Sequence, residues 1–304
     1  MFDIIIIGGG PAGLTAAVYG RRAGKSVLVI EKETFGGQIT FSPKVENIPG
    51  FTSISGAAFA EKLTEQAMEQ GVEFECCNAL EIADGNPKKV VTDEGTFEGK
   101  AVIVATGARH RLLGIPDEEQ YIGEGISFCA VCDGAFYKGQ TVAVVGGGNS
   151  ALQEALLLSE TSEKVYILQN LAFFTGEQVL QDQLKEKKNV EVRFETVVEE
   201  ILDKGAGFAG VRVRSTATGA AEEIPADGMF VAIGLVPQNE PFKNVIKLNE
   251  YGYADMDESC AGEKPGIYVA GDCRSKRIRQ VTTAAADGAT AALAACSYID
   301  SQSV

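Results

Sequence analysis

Apolar residues in this chain gather into short runs that each end at glycine. Residues 2–7 are a nearly continuous apolar run, the pattern of a parallel strand buried on both faces, leading into Gly8-Gly9-Gly10-Pro11-Ala12-Gly13. A helix is predicted from there through Ala23, with Pro11 suited to its first turn, and a second strand over 26–30 with Glu31 at its end. The unit recurs: a strand over 141–145, the turn Gly146-Gly147-Gly148-Asn149-Ser150-Ala151, a helix to about Glu160, and a closing strand over 164–169. Further strands precede glycine at 101–105 (Thr106-Gly107-Ala108), 229–233 (Gly234) and 266–270 (Gly271-Asp272). A last helix over 282–295 is rich in alanine and glycine, which suits either close approach to a cofactor or tight helix packing. Strands alternating with helices predict an α/β protein with two Rossmann-like dinucleotide-binding domains.

The glycine spacing carries the chemistry. Gly8 allows a tight turn, Gly10 lets backbone approach a pyrophosphate, and Gly13 lets helix pack on strand, while the helix N-terminus offers unpaired N–H groups to phosphate. Glu31 stands where an acid accepts hydrogen bonds from ribose hydroxyls. Two such units in one chain imply two dinucleotide sites, the second usually for a nicotinamide.

Composition narrows the partners. The 304 residues carry 27 Lys and Arg against 42 Asp and Glu, a formal charge of −15 that repels nucleic-acid phosphates and anionic membranes. No apolar run approaches the ~20 residues of a spanning helix, so a cytoplasmic protein is expected. His110 is the only histidine, hence the only candidate imidazole base. Of seven cysteines, only Cys129 and Cys132 have zinc-like spacing, with no second pair to complement them, so no metal site is expected. Two cysteines at i and i+3 close a readily reduced disulfide, and Asp133 directly after them is placed to exchange a proton. Cys76, Cys77, Cys260, Cys273 and Cys296 read as packing thiols.

With these segments in order, the chain resembles the low-molecular-weight thioredoxin reductase family over nearly its whole length. The resemblance rests on the first glycine turn, Gly36-Gly37-Gln38, Val45-Glu46-Asn47-Ile48-Pro49-Gly50, Ala105-Thr106-Gly107, Cys129-Ala130-Val131-Cys132-Asp133 and Gly271-Asp272 with Arg279-Gln280. It implies an FAD domain built from residues 1–113 and 243–304, with an inserted pyridine-nucleotide-type domain, 114–242, carrying the redox disulfide. It also implies a homodimer that reduces thioredoxin, with Cys132 facing the flavin, Cys129 attacking the substrate disulfide and Asp133 donating the proton. FAD would be held by Gly8, Gly10, Pro11, Ala12, Gly13, Glu31, Gly37, Gln38, Asn47, Ala105, Thr106, Gly107, Gly271, Asp272, Arg279, Gln280 and Val281. The inserted domain is expected to swing, with hinges near 113–118 and 240–244.

One segment departs from the family. NADPH-dependent members follow the second unit with a His-Arg-Arg run and a further Arg to grip the 2′-phosphate; here residues 169–175 read Gln-Asn-Leu-Ala-Phe-Phe-Thr, with no acid before Glu177 and no base before Lys185. Each missing charged hydrogen bond is worth roughly 1.5–3 kcal/mol. This lack resembles the ferredoxin-dependent flavin thioredoxin reductases, which implies reduced ferredoxin as donor. The alternatives are a reductase with an atypical neutral NAD(P)H pocket, a flavin-dependent dithiol oxidase, and a non-catalytic flavoprotein. Residues 114–242 hold 9 basic and 20 acidic side chains. The remainder is closer to neutral and contains the run Arg274-Ser275-Lys276-Arg277-Ile278-Arg279, open to two readings: four surface cations that steer an acidic ferredoxin toward the flavin, or Arg279 on FAD with the others in a solvated loop.

Overall fold

The computed structural model describes residues 1–42, 45–205 and 207–302. The chain divides into two compact units: residues 1–43, 48–109 and 236–304 form one, residues 44–47 and 110–235 the other. These crossings come a few residues before the expected ones. Leu113 and Ile115 pack into the core of the second unit, and Phe242, Val245 and Ile246 into that of the first.

The first unit is a sheet of seven strands. β1 (Phe2–Ile7), α1 (Pro11–Arg22), β2 (Val27–Glu31), α2 (Gly56–Glu69) and β3 (Glu73–Cys76) are followed by β4 (Ala79–Ala83), β5 (Lys88–Thr92) and β6 (Thr96–Val104). The sheet order is β3-β2-β1-β6-β5-β4, and β17 (Ile267–Val269) pairs with the end of β6. Pairing is parallel among β3, β2, β1, β6 and β17, and antiparallel for β4 and β5. The unbroken isoleucine run of β1 follows from burial on both faces. Ile4 and Ile6 enter one core with Val27, Val29, Ala101 and Ile103, and Ile5 and Ile7 enter the other with Leu28, Ile30, Val102 and Val104. Each isoleucine withdrawn from water contributes roughly 1.5–3 kcal/mol.

The first face is covered by α1 and by α6 (Val281–Ser301), longer at both ends than the sequence pattern predicts. A Cβ added at Gly288 in α6 would stand 2.1 Å from the carbonyl oxygen of Ala12 in α1. The small residues of α6 therefore serve helix packing at this crossing.

The second unit repeats the design. β8 (Ile126–Ser127), α3 (Ala130–Asp133), β9 (Thr141–Val145), α4 (Asn149–Ser159), β10 (Lys164–Leu168), α5 (Gln178–Lys185), β11 (Val190–Arg193) and β15 (Gly228–Val231) build a five-stranded parallel sheet, β11-β10-β9-β15-β8. β12 (Thr196–Asp203), β13 (Phe208–Ser215) and β14 (Ala221–Pro225) form an antiparallel sheet. Val198, Val211 and Val213 from that sheet share a core with Ala143, Val145 and Leu168. α4 and α5 cover Val142, Val144, Val165 and Ile167 on the other face. Among the described residues no helix is long and apolar enough to cross a membrane, and no cluster of His, Cys, Asp and Glu could hold a metal ion.

Substituting Gly288→Ala should force α6 away from α1 and cost about 1–3 kcal/mol. Denaturant unfolding should show the lower midpoint, with bound flavin lost from the same variant.

Candidate functional site

At the first turn, the expected cofactor residues of the first unit come together. Gly8, at φ +112°, lies so close to β6 that a Cβ would stand 2.3 Å from the carbonyl oxygen of Ala105. A Cβ on Gly13 would stand 1.9 Å from the carbonyl oxygen of Gly8. Gly10 precedes Pro11 at the start of α1, and no side chain caps this helix end, so the N–H groups of Ala12 and Gly13 remain for an anion. The Glu31 carboxylate closes the turn, accepting from Gly9 N–H at 2.7 Å and from Glu33 N–H at 2.9 Å. Gly36 N–H donates to Gly9 carbonyl at 2.7 Å, bringing the Gly37–Gln38 segment onto the turn. A cleft of about 260 Å³ opens here, lined by Gly8, Glu31, Asn78, Thr106, Gln238 and Pro241. Asn47 is exposed, and it alone of the expected FAD residues clusters with the second unit.

A second group lies at the end of β17. Asp272 has a buried Oδ1 with no hydrogen-bond partner, and burial raises its pKa against the opposing pull of Lys276 and Arg279. Arg279 stacks over the Tyr253 ring at 4.3 Å and donates to Asp272 carbonyl at 3.3 Å. Gln280 caps α6 through a reciprocal bond with Thr283, and Val281 begins the helix. The enclosed carboxylate oxygen and the uncapped turn fit FAD, whose polar groups would meet both.

Asn239 is a site residue the sequence pattern does not reveal. Fully buried, it donates to Cys273 carbonyl at 2.8 Å and Gly252 carbonyl at 3.0 Å, and it accepts from the Thr106 hydroxyl at 3.3 Å. Only its flanking position beside Pro237 and Pro241 marks it in the sequence.

The cationic run does not form the four-charge surface expected of it. Arg274 is 1% exposed, pairing with Asp287 of α6 at 2.8 Å and donating to Asp257 carbonyl at 2.6 Å. Lys276 turns inward onto the same Asp287 carboxylate at 3.0 Å. Gly271 N–H also donates to Asp287, at 3.0 Å. The carboxylate on α6 recruits the two cations and the turn together; Arg277 is the cation left exposed.

In the second unit Cys129 and Cys132 are joined as a disulfide, with Cα atoms 5.3 Å apart. Cys129 caps α3, and its Sγ accepts from Cys132 N–H at 3.2 Å. That donor stabilises a Cys129 thiolate once the bond opens. Ser127 links the pair to Asp133: its hydroxyl accepts from Cys129 N–H at 3.1 Å and donates to Asp133 Oδ2 at 2.6 Å. Asp133 Oδ1 is buried without a partner, and burial raises the pKa of the carboxyl although the Ser127 bond opposes it. Val131, between the cysteines, is 65% exposed.

The second glycine turn is covered by its own loop. The buried Gln169 amide lies over Gly147, where a Cβ would stand 2.4 Å from its carbon and nitrogen, and donates to Phe173 carbonyl at 3.0 Å. Gly147 carbonyl accepts from the N–H groups of Thr175 at 2.9 Å and Gly176 at 3.0 Å. Asn149, at the start of α4, is clasped by Glu177 through bonds of 2.7 and 3.1 Å. Phe174 packs in the core against Phe194, while Phe173 is 60% exposed. Lys185 pairs with Asp182, and Arg193 on the neighbouring strand with Glu191.

His110 does not serve as a base. It stacks on Phe128 at 4.4 Å, and burial lowers its pKa to about 4. Cys273 and Cys260 are buried with thiols pushed up to about 11, and Cys77 and Cys296 are buried as well. Cys76 is exposed at the end of β3, contrary to its reading as a packing thiol, because the edge strand turns it to solvent.

Two dinucleotide turns, a flavin-fitting cleft and a CxxC disulfide define a flavoprotein disulfide reductase. Residues 2–288 match the family model described as pyridine nucleotide-disulphide oxidoreductase. The chain is 40% identical to thioredoxin reductase of Listeria monocytogenes over 99% of its own length and 94% of the relative's. It is 41% identical to the 34.2 kDa protein in rubredoxin operon of Clostridium pasteurianum, covering 98% and 97%. The crystal structure of thioredoxin reductase from Streptococcus pyogenes superposes with a TM-score of 0.93 at 37% identity, covering 99% of both chains. The chain belongs to the low-molecular-weight thioredoxin reductase family, whose members use FAD.

The depressed His110 pKa sets an acid limit. The folded chain binds its proton more weakly than the unfolded one, so this contribution to stability is whole above pH 6.5 and is lost as pH falls toward about 4. His110→Phe should flatten that part of the pH–stability curve measured by urea unfolding.

Proposed function

We propose that this thioredoxin reductase takes its electrons from reduced ferredoxin, one at a time, and not from NADPH, and that it works as a homodimer. The observation that carries this reading is Gln169 folded over Gly147, with the following loop bonded to the same carbonyl. An adenosine ribose needs an acid at that strand end, and a 2′-phosphate needs arginines. Here a neutral amide occupies the turn, Glu177 is the charged group clasped at the helix start, and the nearby cations are paired with carboxylates. A relative named for its place in a rubredoxin operon fits a one-electron iron protein as donor.

FAD supplies the junction between one-electron delivery and two-electron disulfide chemistry. Gly8, Gly10, Pro11, Ala12, Gly13 and Glu31 would hold its diphosphate and adenosine, and Gly37, Gln38, Asn47, Ala105, Thr106, Gly107, Gly271, Asp272, Arg279, Gln280 and Val281 its remainder. Two electrons and one proton open the Cys129–Cys132 bond, leaving a Cys129 thiolate and a Cys132 thiol. The Cys129 thiolate, held by Cys132 N–H, then attacks the thioredoxin disulfide; a Cys129–thioredoxin S–S bond forms, the thioredoxin S–S bond breaks, and Asp133 protonates the released thiolate. Cys132 next gives its proton to Asp133 and attacks Cys129 Sγ, breaking the Cys129–thioredoxin bond and restoring the internal disulfide; Asp133 passes that proton to the second thioredoxin thiolate and regains one from solvent. Because the dithiol serves both flavin and thioredoxin, the second unit swings on the crossing segments between the two encounters.

The intact Gly146–Gly148 turn and the α4 start without a side-chain cap favour a second reading, an NAD(P)H-dependent reductase with a neutral pocket. Anaerobic titration separates the two. Reduced ferredoxin should bleach the flavin band within seconds while millimolar NADPH or NADH leaves it unchanged; bleaching by a nicotinamide alone would overturn the ferredoxin reading. The roles of the cysteines are checked by trapping: Cys132→Ser should accumulate a mixed disulfide with thioredoxin on non-reducing gels, and Cys129→Ser should not.

A further inference from the structure

The Asp272 side chain is 34% exposed, yet its Oδ1 is enclosed and accepts no hydrogen bond, so Oδ2 is the accessible oxygen. What Oδ1 faces is a cation. Lys276 Nζ lies 3.9 Å from it, within ion-pair reach but too far for a hydrogen bond. The Lys276 side chain, 11% exposed, is held there from behind, donating to Asp287 Oδ2 of α6 at 3.0 Å. That carboxylate is itself fixed by Gly271 N–H at 3.0 Å and by Arg274 at 2.8 Å. Arg274 alone balances the charge of Asp287. Lys276 is therefore the cation in excess, and the uncompensated anion within its reach is Asp272. Arg279 does not take this place, because it donates to the carbonyl of Asp272 and not to its carboxylate.

A carboxylate with one oxygen shut away from water and from hydrogen bonds is costly to ionise unless a charge compensates it. Resting on Asp272 as a ligand of FAD, proposed above, we infer that Lys276 is a positioning residue of the cofactor site: anchored by Asp287, it stands behind Asp272 Oδ1, keeps that carboxyl ionised and leaves Oδ2 to accept from a hydroxyl of the cofactor. Asp287, Lys276 and Asp272 then form a chain of alternating charge that runs from the inner face of α6 to the FAD site. The charged groups facing Asp272 are Lys276 and Arg279, which favour its ionised form, and Asp287, which opposes it; burial opposes it further, and its pKa is raised. Tyr253 and Cys273 beside it keep their protons, since burial raises the one and pushes the other up to about 11. Removing the Lys276 charge takes away one of two supports and leaves the whole opposition in place. Asp272 then takes up a proton at higher pH and accepts more weakly.

The test dilutes the FAD-loaded protein between pH 5 and 8 and follows the release of FAD by the recovery of its fluorescence. Lys276→Met should release FAD roughly tenfold more readily at pH 7, with its acid limb at higher pH than that of the wild type. Lys276→Arg should restore the wild-type profile. A lysine that acts through Asp272 has no effect where that residue cannot ionise, so Asp272→Asn and the double variant Asp272→Asn/Lys276→Met should release FAD alike. A Lys276→Met protein with the wild-type profile, or one whose loss adds in full to that of Asp272→Asn, would overturn the inference. Asp272→Asn separates the two levels. If it retains FAD as the wild type does, Asp272 fails as a ligand and the role of Lys276 falls with it; weak retention by Asp272→Asn beside normal retention by Lys276→Met removes Lys276 alone. Should Lys276→Met not fold, Lys276→Gln, which keeps a donor for Asp287 and loses the charge, is read in the same way.

Discussion

Backbone meets backbone at three points around the first glycine turn, and the first unit is organised by them. Gly13 rests on the carbonyl of Gly8, Gly8 on that of Ala105, and Gly288 on that of Ala12. These contacts bind α1 to β1, the turn to the end of β6, and α6 to α1. No side chain fits at any of them, so none of the elements can slide without opening the others. A turn locked in this way keeps its N–H groups aimed at one place, which lowers the ordering cost of binding a diphosphate. Asp287 extends the same logic from α6, where one buried carboxylate holds Gly271 N–H, Arg274 and Lys276.

The second turn shows what the same backbone does when its terminal acid is changed. Glu31 ends β2 and takes the N–H of Gly9, leaving carboxylate lone pairs for ribose hydroxyls. Gln169 stands at the matching place after β10, and its amide lies across Gly147 and donates to its own loop. A carboxylate can only accept, and so it faces a ligand's hydroxyls; an amide also donates, and here one of its two N–H donors goes to Phe173 carbonyl. The amide thereby joins the turn to its own loop. Phe174, packed against Phe194, holds that loop down, and Phe173 is left in solvent.

Most of the fold could be read from the chain because the informative residues were local. Ile4–Ile7 and Val142–Val145 announce buried strands by continuity, and the glycine spacings announce turns followed at short range by a recognisable end of the second strand, as Glu31 follows Gly9. Asn239 escaped because its three partners, Thr106, Gly252 and Cys273, are far from it in sequence. The run 274–279 misled for the complementary reason. Four cations in a row suggest a surface, but the carboxylate that draws two of them inward sits on α6, and only the tertiary structure brings Asp287 beneath them. Cys76 and Cys77 are adjacent yet opposite in burial, as alternation at a strand's end requires.

The inward turn of Arg274 and Lys276 also bears on how a donor is selected. Were an exposed basic run the chief determinant, choice between ferredoxin and a nicotinamide would be a matter of long-range attraction, strong at low salt and weak at physiological ionic strength. Asp287 offsets one unit of charge between Arg274 and Lys276, both drawn inward, and Arg279, committed to Tyr253 and the Asp272 carbonyl, keeps its own, so that field is reduced but not removed. Under the ferredoxin reading proposed above, selection rests chiefly on exclusion at short range, at the turn where Gln169 lies over Gly147 and the Gly147 carbonyl accepts from Thr175 and Gly176. Exclusion of this kind does not depend on salt, because it consists of unmade hydrogen bonds and occupied volume. On that proposal the second Rossmann unit is kept for its disulfide, and the ligand its backbone could hold is given up.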